Sequence, residues 1–118
     1  MTNDTVKAPE GTFMGRVRNG TLDMPLGVCK FCAAKEWTLF RVLPLDDHRI
    51  ELQPVLADED TDGDEDFVSS LSSDGKLWIP GAVRELVGLK EQSVMVRVEG
   101  RCVRLYIGHV FETLGFRP

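Results

Sequence analysis

The sequence predicts a mainly β fold of one domain, built from two tandem repeats that each run β-hairpin, short helix, β-hairpin. Three observations predict it. First, the chain matches itself at a shift of 55 residues: Gly20-Thr-Leu-Asp-Met-Pro25 lies over Gly75-Lys-Leu-Trp-Ile-Pro80, and the match continues through Val28 with Val83, Phe31 with Leu86, Lys35 with Lys90 and Glu36 with Glu91. Self-similarity at a fixed period marks a repeated supersecondary unit. Second, each copy carries a turn dipeptide, Asn19-Gly20 or Asp74-Gly75, whose residues accept positive φ and close tight hairpins. Third, apolar residues recur with period two over Val94, Val96 and Val98 and again over Val103, Leu105 and Ile107, the pattern of half-buried strands. A half of about 40 residues is too small to close a core alone. Two halves pairing around a pseudo-twofold axis can close one.

The elements follow in order. The first repeat spans residues 12–55 and the second 67–110, with an acidic linker over 56–66 and a tail over 111–118. In each repeat a first strand runs into the turn dipeptide, and a short second strand follows (Leu22 to Met24; Leu77 to Ile79). Pro25 and Pro80 stop the ladder and open a helix, because proline lacks the ladder N–H and its fixed φ suits a first helical turn. The spacing predicts helices over 26–34 and 81–87, with Val83, Leu86 and Val87 on one apolar face and Gly88 as the left-handed stop. Leu39 to Leu43 and Arg49 to Val55 form the second hairpin of the first repeat, joined through Pro-Leu-Asp-Asp. Glu99-Gly100 turns the corresponding hairpin of the second. A short helix is expected over Val110–Phe116.

Composition narrows the function classes. Hydrophobic residues make 42% and charged residues 28% of the 118 positions, which describes a soluble globular chain. No apolar run approaches the roughly 20 residues that span a bilayer, nothing reads as a signal peptide, and an odd count of three cysteines fits a reducing cytoplasm. The formal net charge of −5 argues at face value against a nucleic-acid partner. It is local, however. Seven of the 19 acids lie in the run Ala57-Asp-Glu-Asp-Thr-Asp-Gly-Asp-Glu-Asp66, and the remaining 12 face 14 bases, a balance of +2. Such a run repels itself and stays solvated, as a spacer between similar halves should.

The segment Ser72-Ser-Asp-Gly-Lys-Leu-Trp-Ile-Pro80-Gly-Ala-Val-Arg84-Glu-Leu-Val-Gly-Leu-Lys-Glu-Gln-Ser-Val94 resembles the SpoVT/AbrB superfamily of swapped-hairpin barrels. Two copies in one chain resemble its MraZ branch, in which both half-barrels come from one polypeptide. The resemblance implies a pseudo-twofold swapped-hairpin barrel and a DNA-binding transcriptional regulator that presents a basic surface near its hairpin loops. It places Lys76 at the family's arginine after glycine and Arg84 at the arginine four residues after proline. Thr21 and Cys29 stand at those positions in the first repeat, and Gln92-Ser93 replaces the family's Gly-Asp turn.

Seven bases are therefore candidates for contact with DNA: Arg16, Arg18, Lys76, Arg84, Arg97, Arg101 and Arg104. Arg16 and Arg18 lie two apart on one strand and share a face. Arg97 opposes Arg101 and Arg104 across the last hairpin. Such contacts supply salt-dependent affinity more than sequence choice. Trp78 takes the outward phase between Leu77 and Ile79; it marks either a contact surface or a patch covered by Phe111 or Phe116. Cys29-Lys-Phe-Cys32 has metal-ligand spacing, but Cys102, His48 and His109 add no paired partner, so buried helix cysteines are expected and no metal or other cofactor. Asp46 and Asp47 read as turn formers beside His48, and no catalytic constellation is present. The alternatives to a DNA-binding regulator are a protein-interaction or homo-oligomerisation module on the same fold, and, behind it, an antitoxin component.

Overall fold

The computed structural model describes residues 7–56 and 67–107. The acidic run of residues 57–66, His109 and the helix expected over Val110–Phe116 lie outside the described residues. The elements are β1 (Phe13–Arg18), β2 (Thr21–Asp23), α1 (Leu26–Ala34), β3 (Leu39–Pro44), β4 (Arg49–Pro54), β5 (Val68–Ser70), β6 (Lys76–Trp78), α2 (Gly81–Val87), β7 (Gln92–Glu99) and β8 (Cys102–Tyr106). Both helices thus occupy the residues that the prolines and apolar spacing predict.

The eight strands form one antiparallel sheet in the order β5-β3-β4-β8-β7-β1-β2-β6. A bridge between Leu71 and Leu77 brings its two edges together, so the sheet is nearly closed and barrel-like. The hairpins β1–β2, β3–β4 and β7–β8 are local. The other ladders join the two halves of the chain: β1 with β7, β3 with β5, β2 with β6 and β4 with β8. Neither strand of the β1–β2 hairpin pairs with β3 or β4.

Inside the sheet, Val17, Leu22, Phe40, Val42, Ile50, Leu52, Leu77, Val94, Val96, Val103 and Leu105 are buried, joined by Val28, Cys32 and Val83 from the helices. Leu22 and Leu77 sit directly opposite each other where β2 meets β6. Two backbone bonds fasten the turns to the helix entrances. Met24 N–H donates to the Gly75 carbonyl and Ile79 N–H to the Gly20 carbonyl, each at 2.8 Å.

Three local expectations are corrected. Leu86 does not share the buried face of Val83 and Val87; it is 66% exposed. Its counterpart Phe31 is buried, and Trp37 meets it edge-on with ring centroids 5.3 Å apart. Met95, which should alternate outward, is only 4% exposed. Asn19-Gly20 is a two-residue turn with φ of 51° and 78°, but the Asp74-Gly75 turn is one residue wider. Gly75 N–H donates to the Ser72 carbonyl, Ser72 N–H donates to the Lys76 carbonyl, and of the central residues only Gly75 is left-handed. A type I turn closed by a left-handed glycine is the usual three-residue hairpin solution.

Candidate nucleic-acid interface

The outer surface of the sheet is set by strand parity. On β1, Gly15 and Val17 face in, so Met14, Arg16 and Arg18 face out. Register carries this outward set across neighbouring strands. Arg16 lies opposite Asp23, which lies opposite Lys76; Arg18 lies opposite Thr21, which lies opposite Trp78. On the other flank of β1, Met14 lies opposite Met95 and Arg16 opposite Ser93. Arg97 is four residues beyond Ser93 along β7, a rise of roughly 13 Å. Arg101 stands in the turn between Glu99 and Cys102.

The seven candidate bases divide into two kinds. Three are engaged. Lys76 forms an ion pair with Asp23, which raises its pKa chiefly through that hydrogen bond. Arg104 donates from Nε to Glu51 Oε1 at 3.1 Å and lies 3.8 Å from Glu99 Oε2, and the Glu51 hydrogen bond holds its guanidinium above the ordinary range. Arg84 donates from Nε to the Ile79 carbonyl at 2.9 Å and lies over the Trp78 ring, 4.7 Å from its centroid. The other four, Arg16, Arg18, Arg97 and Arg101, are exposed and make no side-chain ion pair with any described residue. They line the outer face of the adjacent strands β1 and β7 and the turn that follows, with the Met14–Met95 pair between them.

Trp78 is 48% exposed and sits between the two kinds. Its ring rests over the β1–β2 turn. A Cβ added at Gly20 would come within 2.8 Å of Trp78 Cζ3 and 3.0 Å of Arg84 Cζ. Glycine is therefore required at that position twice over, by its left-handed φ and by the ring and guanidinium lying against it.

The first half builds the same corner from different chemistry. The Cys29 thiol donates to the Met24 carbonyl at 3.4 Å, as Arg84 does to Ile79, and a Cβ at Gly75 would meet Cys29 Sγ at 2.9 Å. Burial raises the Cys29 pKa. Burial, with Cys29 beside it, pushes Cys32 up to about 12. Burial thus disfavours the thiolate form at both positions. Among the described residues no group of three His, Cys, Asp or Glu side chains converges in a metal-binding arrangement.

Elsewhere the polar groups tie the fold together. Asp46 accepts from His48 N–H at 2.8 Å and from Arg49, contacts that hold its carboxyl below the usual range, and so closes the β3–β4 loop. On the outer face of β4 and β8, Glu51 accepts from Gln53 at 2.6 Å, from the Cys102 thiol at 3.4 Å and from Arg104; the Gln53 bond is the largest cause of its lowered pKa. The Cys102 thiol, desolvated and beside that carboxylate, is pushed up to about 11. These acids were missed as partners of Lys76 and Arg104 because the ladders that align them join residues some fifty positions apart. The register of β2 against β6 sets Asp23 directly opposite Lys76.

No protein-family model matches the chain, and no curated protein sequence matches it. Among the described residues no helix is long and apolar enough to cross a membrane.

Proposed function

We propose that this chain is a DNA-binding transcriptional regulator, built as a pseudo-twofold swapped-hairpin barrel of the SpoVT/AbrB type in the tandem, MraZ-like arrangement. The pairing scheme supports the architecture. The second hairpin of each half pairs with the first hairpin of the other, β3 with β5 and β7 with β1, and the second strands meet across the axis as β2–β6. The observation that carries the function is the set of four arginines, Arg16, Arg18, Arg97 and Arg101, that make no ion pair with any described residue and lie on one stretch of outer sheet. Unpaired guanidinium groups on a firm β surface are what phosphate neutralisation requires, and each can release a counterion from the duplex.

The test is a mobility-shift titration on genomic DNA fragments from about 50 mM salt upward. Replacing Arg16, Arg18, Arg97 or Arg101 singly with alanine lowers the slope of log affinity against log salt by about one each. Lys76→Ala and Arg104→Ala, whose charges already face carboxylates, leave that slope unchanged. The absence of any shift at about 50 mM salt ends this reading.

A second reading, an interaction or homo-oligomerisation module on the same barrel, draws on Leu26 and Leu86, which stand 69% and 66% exposed on the two helices. Light scattering that finds only monomer, with no partner co-purifying, would count against it.

A further inference from the structure

We infer that Trp78 is a stacking platform for an unpaired base of single-stranded DNA, with the phosphates of that strand held on Arg18 and Arg16. The inference rests on the DNA-binding reading and sharpens it, from a basic surface to a kind of strand. Trp78 ends β6, the last strand in the sheet order, with about half of its surface exposed, and the surrounding contacts fix its pose. Gly20 leaves space beneath the ring, Arg84 lies against it, and Arg84 is itself anchored by its bond to the Ile79 carbonyl. With Arg84 in place, Trp78 as a residue remains 48% exposed.

Charge on the same face selects the occupant. Arg18, Thr21 and Trp78 form one row across β1, β2 and β6, so the arginine and the ring stand two strand spacings apart, about 10 Å. One or two nucleotides bridge that distance. In the neighbouring row the single acid, Asp23, is neutralised by Lys76. At the turn itself Glu91 accepts from Asn19 N–H at 3.1 Å, so Arg16, Arg18, Lys76 and Arg84 face two carboxylates, Asp23 and Glu91; an aromatic ring among such an excess of bases on a β surface suits base stacking along a single strand, where bases are free to turn outward. A duplex keeps its bases stacked inside and offers this flat face only phosphates.

The experiment uses the chain's own fluorescence. There are two tryptophans, and Trp37 is buried against Phe31. Emission that responds to DNA therefore reports Trp78, and Trp78→Phe provides the check. The intact protein is titrated with a mixed-sequence single-stranded oligonucleotide and with the duplex of the same sequence, at about 50 mM salt, followed by both emission and mobility shift. Single-stranded DNA is expected to quench the emission and the duplex to leave it nearly unchanged. Trp78→Phe should abolish the quench, and Trp78→Ala should weaken single-strand binding about tenfold. If DNA binds but the emission never moves, or if the duplex quenches equally, the stacking inference is wrong and the DNA-binding reading stands. If neither form of DNA binds, both fail together. Thermal melting shows whether Trp78→Ala remains folded; the quench on the unaltered protein decides the matter regardless.

Discussion

The two helix corners of this barrel solve one geometric problem with opposite chemistry. At each corner a proline opens a helix, a strand-end residue donates its N–H to the turn glycine of the other half, and a side chain on the first helical turn reaches back to a backbone carbonyl over that glycine. In the first half the side chain is Cys29, small and half-buried, and the outward residue beside it is Asp23, held by Lys76. In the second half it is Arg84, and the outward residue is Trp78. The backbone scheme tolerates either. What differs is the surface: one corner is neutralised and closed, the other displays a ring and a cation. The two corners thus share a backbone frame, and only one of them carries the candidate binding chemistry.

Five substitutions, in three tests, probe how far the equivalence extends. The largest effect is expected where it fails. Phe31→Ala removes a buried ring packed on Trp37 and should cost about 3–5 kcal/mol, while Leu86→Ala, at the matching position, should fall within about 0.5 kcal/mol of the parent. Urea denaturation of both variants gives the comparison directly; equal losses would mean that α2 buries Leu86 in solution. Intermediate effects are expected at the turns. Gly20→Ala and Gly75→Ala each force a left-handed residue and a contact under 3 Å, so each should destabilise by at least 1–2 kcal/mol, an order-of-magnitude figure for the left-handed strain alone. Only Gly20→Ala should also disturb the near-ultraviolet signal of Trp78.

The smallest effect is a gain. Both helices end with a left-handed residue, Gly88 in one and Glu36 (φ of 61°) in the other, each followed by an N–H that reaches back to the last turn. Glutamate in that conformation carries strain that glycine does not. Glu36→Gly should therefore stabilise by about 0.5–1 kcal/mol, measured as a higher denaturation midpoint. No gain would mean that the Glu36 side chain contributes contacts of its own.

Much of the frame was legible in the sequence because it rests on local chemistry. Asn19-Gly20 closes its hairpin through two positive φ angles, and Pro25 and Pro80 open helices over the residues expected. Legibility ended where an outcome depended on distant partners. Phe31 and Leu86 look alike in sequence, yet Phe31 is core, with Trp37 folded back against it from beyond the helix, and Leu86 is surface. Asp74-Gly75 looks like Asn19-Gly20, yet Asp74 keeps a negative φ and the Ser72 hydroxyl accepts from Lys76 N–H at 3.0 Å, supporting the wider turn. Among the seven candidate bases, type and phase identified outward positions, but which of them were already neutralised was decided by ladders joining Asp23 to Lys76 and Glu51 to Arg104.

The ladders between halves carry a consequence for topology and assembly. Four of the sheet's strand pairings join one half of the chain to the other, so closure of the barrel depends on the two halves meeting and not on their being continuous. Covalent linkage then acts as a concentration term: it keeps the complementary half close at hand, in the manner of a tether between two binding partners. At high protein concentration a half from a neighbouring molecule would compete for the same ladders with the same contacts, and reciprocal exchange of halves between two chains would yield an intertwined dimer containing two barrels.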